Sequence, residues 1–309
     1  MNAAARFWWR ALASALAAVA ILMASVLGWL KWHEADLVFH TAESHQRPDG
    51  QIPAYAQKLS IRTADGAQLA ALILPAPAEH DSGFWVLHLH GNADSAFSAT
   101  QLRHAQSLRD LGLNVLVLDY RGFGRSPGTA SERHIEEDAQ AAYQELIHRP
   151  VAARKIIVWG HSLGSGPAVY LASMQPVAAL VLFGAFTSIP DAAQDTYPHL
   201  PVKWLAGIQF DSLARIGLVH APVLIAHSRG DTVIPFHHAL QLFAAANEPK
   251  RLLQMSAPYS DALGGHVNAL YDQLPLIVPV LVELTGVQLS LPPHSPSIAR
   301  SIAATASGS

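Results

Sequence analysis

Residues 155–175 constrain this chain more than any other stretch. A β-branched run (Ile156, Ile157, Val158) enters Gly160-His161-Ser162-Leu163-Gly164, and a helical pattern with Ala168, Leu171 and Ala172 leaves it. Gly-x-Ser-x-Gly between a strand and a helix is the sequence of a nucleophile elbow. In so tight a turn a side chain at position 160 or 164 would collide with its neighbours. The turn lifts the Ser162 hydroxyl above the sheet edge and directs the N-terminus of the following helix at a reacting carbonyl. Pro167 falls early in that helix, where a missing N–H costs little. The pentapeptide alone also occurs in ordinary turns, so the flanking strand and helix carry the reading.

A β-then-α rhythm surrounds the elbow. Residues 57–74 predict a hairpin, with Leu59 and Ile61 alternating with polar neighbours and Asp65-Gly66 as the turn. The apolar runs Phe84–Leu89, Val115–Leu118, Ile156–Trp159, Ala179–Phe183 and Val223–Ala226 read as buried parallel strands. Leu252–Met255 is a last short strand, and 266–284 a last helix. Between the strands, Phe97, Leu102, Ala105 and Leu108 share one helical face, and Ile135, Ala139, Ala142, Tyr143, Leu146 and Ile147 share another. Antiparallel pairing followed by alternating β and α predicts an α/β fold, a mostly parallel sheet covered by helices. Residues 187–220, with Pro190, Pro198, Pro201, Tyr197, Trp204 and Phe210, break the rhythm and read as a small lid over the site. An ordinary surface excursion is the plainer alternative.

A serine hydroxyl needs a base within hydrogen-bond reach and a carboxylate to orient that base. In this kind of fold the chain order is Ser, acid, His. Asp231 follows a buried strand and a glycine turn in Pro222–Asp231, whereas no strand delivers Asp195, Asp211 or Asp261. Its alternative role is to cap the helix starting near Pro235. Among the late histidines, His227 sits in or just after a strand and His237 and His238 in a helix. His266, in Gly264-Gly265-His266-Val267-Asn268, is therefore the best base. His88-Leu89-His90-Gly91-Asn92-Ala93 ends the first parallel strand, and the backbone N–H groups of Asn92 and Leu163 are placed to hold an oxyanion. His88 and His90 share a strand face, but no third ligand is spaced for a metal. No metal or other cofactor is expected.

Asp119-Tyr120-Arg121-Gly122-Phe123-Gly124-Arg125-Ser126-Pro127-Gly128 lacks the endings of phosphate-binding loops. It reads as a structural loop with Arg121 tied into it, although Arg121 or Arg125 could instead face an anionic head group. Half of the 309 residues are hydrophobic, enough for one large core, and a net charge of −3 argues against a nucleic-acid partner. With no cysteine, disulfides and thiolate chemistry are excluded.

Residues 11–30 carry no charge, and twenty helical residues span about 30 Å, one hydrocarbon core. Trp8, Trp9, Trp29 and Trp32 flank the stretch, and Arg6 and Arg10 precede it. This predicts a single-pass anchor with a cytoplasmic N-terminus and the main domain on the extracytoplasmic (periplasmic) side. A cleaved signal peptide leading to secretion is the alternative, but the apolar run continues past Ala24-Ser25-Val26 through Leu27–Leu30. The expected organisation is an anchor with its flank at 1–32, a connector at 33–56, a catalytic domain at 57–286 and a disordered tail at 287–309.

Together, His90-Gly91-Asn92, the 119–124 loop, Gly160–Gly164, the Asp231 turn with Val233-Ile234-Pro235, and Gly265-His266 resemble the α/β-hydrolase superfamily over about residues 57–284. The likeness is strongest to small-lid, membrane-anchored serine hydrolases similar to serine aminopeptidase-like, acyl-protein thioesterase-like and lysophospholipase-like members. It implies Ser162 as nucleophile, Asp231 as acid and His266 as base. The likeness does not specify the substrate; the chain as a whole reads as a membrane-anchored serine esterase acting on an acyl ester or thioester, with a peptidase as the alternative within enzymes and a non-catalytic binding protein as the alternative outside them. Tyr197, Trp204, Phe210 and Arg121 are candidate substrate contacts. One departure is visible: Ser228 stands where members often have glycine before the acid turn.

Overall fold

The alternation of buried side chains along each strand sets the architecture. In β3 (Trp85–Leu89), β4 (Asn114–Leu118), β5 (Ile156–His161), β6 (Ala179–Phe183) and β7 (Val223–Ser228) nearly every residue is buried. Successive side chains must point to opposite faces, so the sheet is covered on both. Leu87, Leu116, Val158, Leu180 and Ile225 belong to one core cluster; Val86, Val117, Trp159, Val181 and Leu224 belong to the other. The structure, a computed structural model, describes residues 3–255, 266 and 274–289.

With β1 (Gln57–Arg62), β2 (Gln68–Leu74) and β8 (Lys250–Met255), the strands form one eight-stranded sheet of order β1-β2-β4-β3-β5-β6-β7-β8. β1 and β2 form the expected hairpin, β2 pairs antiparallel with β4, and the remaining pairs are parallel. β5 lies in the middle, between β3 and β6. The elbow that ends it is thus supported on both sides.

Numbered along the chain, the helices begin with α1 (Ala3–Trp32), α2 (Glu34–Val38) and α3 (Thr41–Gln46). α4 (Ala99–Asp110), α5 (Glu132–His148) and α6 (Ser165–Met174) follow. The 187–220 segment carries α7 (Ile189–Thr196), α8 (Val202–Leu205) and α9 (Ser212–Ile216). Among the described residues, α10 (His237–Ala245) and α11 (Leu274–Thr285) complete the set, and the 267–273 part of the expected last helix lies outside them. Ser98, Ser131 and Ser188 cap α4, α5 and α7 by accepting the N–H of Gln101, His134 and Asp191. α4 and α11 cover one face, and α5, α6, α9 and α10 cover the other.

Two stretches differ from the sequence reading. The 33–56 segment is not a bare connector. Phe39 is buried edge-on against Phe123 and Phe210, with centroids 6.4 and 6.3 Å away. Around it Asn92 Nδ2 donates to Val38 O, Asn92 Oδ1 accepts from His40 N, and Arg47 Nε donates to Ala93 O. Helices of five and six residues are too short to show a period, so this docking leaves no pattern in the sequence. At the other end, Val287 is fully buried in the α4–α11 core, so the ordered domain continues through at least residue 289. The expected tail from 290 onward lies outside the described residues. α1 is one continuous helix; its Arg6–Trp32 portion contains an 18-residue window of mean hydropathy 2.3 with nothing buried, and is long and apolar enough to cross a membrane.

His88 on β3 is fully buried, and neither ring nitrogen has a hydrogen-bond partner among the described residues. Burial, then the charges of His161 and His90, push it down to about 3. The unfolded chain therefore takes up this proton first. The histidine costs stability as pH falls below about 6.5 and has no such effect above it. Burial raises Asp119, Asp138 and Glu136, which act in the opposite sense, so a difference between variants isolates the histidine. His88→Leu is expected to flatten the fall in melting temperature between pH 6.5 and 4 relative to the parent. Equal slopes in both proteins, measured by circular dichroism, would contradict this.

Candidate active site

The elbow is held by contacts that exclude a β-carbon. A Cβ on Gly160 would lie 2.6 Å from both Ala168 Cβ and Gly164 O, and one on Gly164 would lie 2.1 Å from Leu89 O. Ser162 itself sits at φ +50°, in the left-handed region, a strain of order 1–3 kcal/mol that the surrounding packing must hold. A Cβ on Gly91 would come 3.3 Å from Ser162 Cβ, so the loop after β3 lies directly against the serine.

β5, β7 and residue 266 meet at this edge. His266 Nε2 lies 2.8 Å from Ser162 Oγ, and His266 Nδ1 lies 2.8 Å from Asp231 Oδ2. With the Nδ1 proton donated to Asp231, Nε2 is left to accept from the serine hydroxyl. Asp231 is oriented by its own turn, where Oδ1 accepts the N–H groups of Val233 and Ile234, each at 2.9 Å. Burial pushes the Asp231 carboxyl up. Hydrogen bonds from His227 and His266, the His266 charge and the Ile234 N–H outweigh it and hold the group well below the usual carboxylate range. Asp231 is therefore a carboxylate throughout the physiological range.

Three supporting residues escaped the sequence reading. His227 Nε2 lies 3.3 Å from Asp231 Oδ2 and 2.8 Å from Ile234 O, tying the acid to the far side of its turn. His161 Nε2 lies 2.8 Å from His266 O and so fixes the backbone that carries the imidazole. Burial, then the nearby His266, pushes His161 down to about 4; a neutral His161 does not repel a protonated His266. Gly184, at φ +56°, faces the pair, its β-carbon position 3.1 Å from the His266 ring and 3.7 Å from Asp231 Oδ2. The only trace of any of these in the sequence is a glycine or histidine at a strand end. Ser228, the departure noted above, is buried, has no left-handed φ, and accepts Gly230 N on its Oγ at 3.3 Å. Glycine is not required there.

The other candidates lie in differing surroundings. Phe210 is corrected from a substrate contact to a core residue: it is fully buried, and a Cβ on Gly166 would lie 2.6 Å from its ring. Arg121 is committed to Asp138, Asp65 and Glu137, with Nε 2.8 Å from Asp138 Oδ1 and Nη1 2.6 Å from Asp65 Oδ2, so its guanidinium is filled by the fold. The loop around it closes on Asp119, whose carboxylate accepts the N–H groups of Ala96 and Arg125 at 2.6 and 2.7 Å. Tyr197 and Trp204 are 56% and 92% exposed. Leu163 is buried in the turn after the serine, and Asn92 holds residues 38–40 through its side chain, leaving only its backbone for the role expected of it. His88 and His90 belong to no metal-binding group of three among the described residues.

The sequence profile of the alpha/beta hydrolase fold family matches residues 85–211. An uncharacterized protein of Mycobacterium tuberculosis, MT2364, is 35% identical over 237 residues, which cover 76% of this chain and 83% of that protein. The chain belongs to the alpha/beta hydrolase fold family. The lysophosphatidylserine lipase ABHD12 of Danio rerio is 32% identical over 216 residues, which cover 62% of this chain and 56% of the lipase. Among solved structures, the Pyrococcus furiosus esterase Pf2001 shares the fold with a TM-score of 0.61 at 19% identity, covering 77% of this chain and 97% of the esterase.

Gly164→Ala is expected to yield a protein that melts well below the parent or does not fold, because the added methyl meets backbone on β3 rather than a side chain that can swing away. An unchanged melting temperature would show that the elbow is looser than its contacts indicate.

Proposed function

We propose that this chain is a serine hydrolase that cleaves carboxylic ester or thioester bonds of an acyl, lipid-like substrate. The observation that carries the reading is the continuous relay from Ser162 Oγ through both ring nitrogens of His266 to Asp231, 2.8 Å at each step. Ser162 attacks the acyl carbon while His266 Nε2 takes its proton. The Asp231 carboxylate holds the imidazole in its working tautomer and stabilises the imidazolium. The backbone N–H groups of Asn92 and Leu163 receive the oxyanion. Loss of one such donor typically costs about 3–4 kcal/mol of transition-state stabilisation. His266 then returns the proton to the leaving alcohol or thiol, and water cleaves the acyl-enzyme by the same steps. These residues perform the whole cycle by proton transfer and charge stabilisation, and the proposal includes no cofactor.

A lipid-like substrate is favoured by where the apolar surface lies. Residues 187–220 act as a lid that follows β6, whose end places Gly184 beside His266. Tyr197, Leu200 and Trp204 expose their apolar surface on this lid. The lid is tied to the end of the apolar helix: Glu34 Oε1 accepts the N–H groups of Gly207 and Ile208 and its other oxygen pairs with Lys31 at 2.6 Å. In this proposal α1 anchors the chain in a bilayer, Arg6 and Arg10 keep its N-terminus cytoplasmic, and the lid faces the lipid surface where acyl chains are drawn. The lipase activity named for the Danio rerio relative agrees with that placement.

A fluorophosphonate probe is expected to label the full chain, and Ser162→Ala is expected to abolish labelling and lower kcat/KM by at least about 10⁴-fold. A parent protein that does not label and matches Ser162→Ala in every assay would falsify the enzyme reading. p-Nitrophenyl esters of rising chain length are expected to outrun aminoacyl-anilides, and the reverse order would make the chain a peptidase. Deleting residues 1–32 is expected to release the protein from the membrane fraction; unchanged pelleting, with activity retained, would remove the anchor.

A further inference from the structure

A second cluster of side chains lies outside the relay and takes no part in it. Asp195 stands in the last turn of α7 on the lid, and His237 and His238 open α10, just after the turn that carries Asp231. Both imidazoles direct Nε2 at the same carboxylate oxygen. His238 Nε2 is 2.9 Å and His237 Nε2 3.1 Å from Asp195 Oδ2. The rings stack with centroids 4.4 Å apart and planes 26° from parallel. One ligand atom from each residue falls within 4.8 Å of the other two.

We propose that Asp195, His237 and His238 bind a zinc-class divalent transition metal, which clasps α7 to α10. Two imidazoles and one carboxylate are a donor set suited to zinc and its neighbours. With bonds of about 2.0–2.2 Å, adjacent ligand atoms of a tetrahedral zinc stand about 3.3 Å apart. The two N···O separations are already within a few tenths of an ångström of that edge. Asp195 and His237 are exposed, so the fourth position opens to water, while His238 is buried and fixed.

The other ring nitrogen of His238 is held by Thr187. His238 Nδ1 lies 2.8 Å from Thr187 Oγ1, and that hydroxyl donates to Asp191 Oδ2 at 2.8 Å. The Thr187 N–H also donates to Nδ1, at 3.2 Å, so without metal the ring proton sits on Nε2 and faces Asp195; a metal on Nε2 would displace it and leave the ring proton on Nδ1, where Thr187 Oγ1 would accept it. Histidines that ligate metals have such a partner on the other nitrogen, and it fixes both tautomer and ring plane. Lys203 pairs with Asp191 and completes the chain of polar contacts across the lid.

The ligands come from both walls next to the relay. α7 follows the β6 end that carries Gly184, and α10 follows Asp231. A bound ion would therefore restrain the lid against the acid turn without touching Ser162. Metal binding is measured directly, so this proposal and the hydrolase reading can fail separately.

The test is titration of the full-length, tag-free protein, stripped with chelator, by Zn²⁺ in competition with a chromophoric chelator, together with Co²⁺ absorption spectroscopy. One site per chain is expected, with a tetrahedral Co²⁺ spectrum and a melting temperature raised by Zn²⁺. Asp195→Asn and His237→Ala are expected to weaken that site at least about tenfold, the loss seen even for outer-shell changes, and to abolish the thermal shift. The 17 histidines of the chain provide background binding, so the variants decide. A parent that binds no metal overturns the proposal, as do folded variants that bind with unchanged affinity. Asp195→Asn preserves shape and one hydrogen-bond acceptor, which keeps the comparison available should His237→Ala unfold.

Discussion

The structure depends on how closely the turn after β5 approaches the end of β3. Gly164 packs against the carbonyl of Leu89 at a distance that no β-carbon survives, and Gly160 packs against the first turn of α6 in the same way. This clamp forces Ser162 into the left-handed region. In this conformation the hydroxyl meets His266 Nε2 at 2.8 Å. Because β5 is flanked by parallel strands on both sides, the strain is borne by the whole sheet. A loop could not hold it.

Two polar groups around the serine are each held in one charge state. Asp231 is kept ionised by its turn amides and two histidines, and burial keeps His161 neutral. His266, fixed at its backbone by His161 and at its ring by Asp231, joins the two ends. In the proposed cycle, preorganisation of this kind means that the imidazolium and the oxyanion appear in surroundings already oriented to receive them.

Much of this was legible in the sequence, for physical reasons that differ by element. Buried parallel strands such as Val115–Leu118 and Ala179–Phe183 announce themselves because both faces need apolar residues. Ser162 and Asp231 could be named as candidates because each follows a recognisable buried strand, and His266 because it comes after them in the expected chain order. The helices on 34–46 could not, since one or two turns carry no periodicity and their docking rests on single contacts such as Phe39 and the Asn92 side chain. Phe210 was misread because an aromatic in an irregular stretch gives no sign of which way it faces. The supports His227 and His161 were hidden for another reason: their partners are set by tertiary folding, and a histidine beside a catalytic position has no signature of its own.

The central claim is that Ser162, His266 and Asp231 act as one unit on an acyl carbon. Its most direct measurement is a crystal structure of the full chain after reaction with a phosphonate ester. The account predicts a covalent Ser162 Oγ–phosphorus bond, with the phosphoryl oxygen within hydrogen-bond distance of the Asn92 and Leu163 N–H groups and His266 still joined to Asp231. A phosphonate found on another residue, or on Ser162 with that oxygen turned away from both N–H groups, would contradict it.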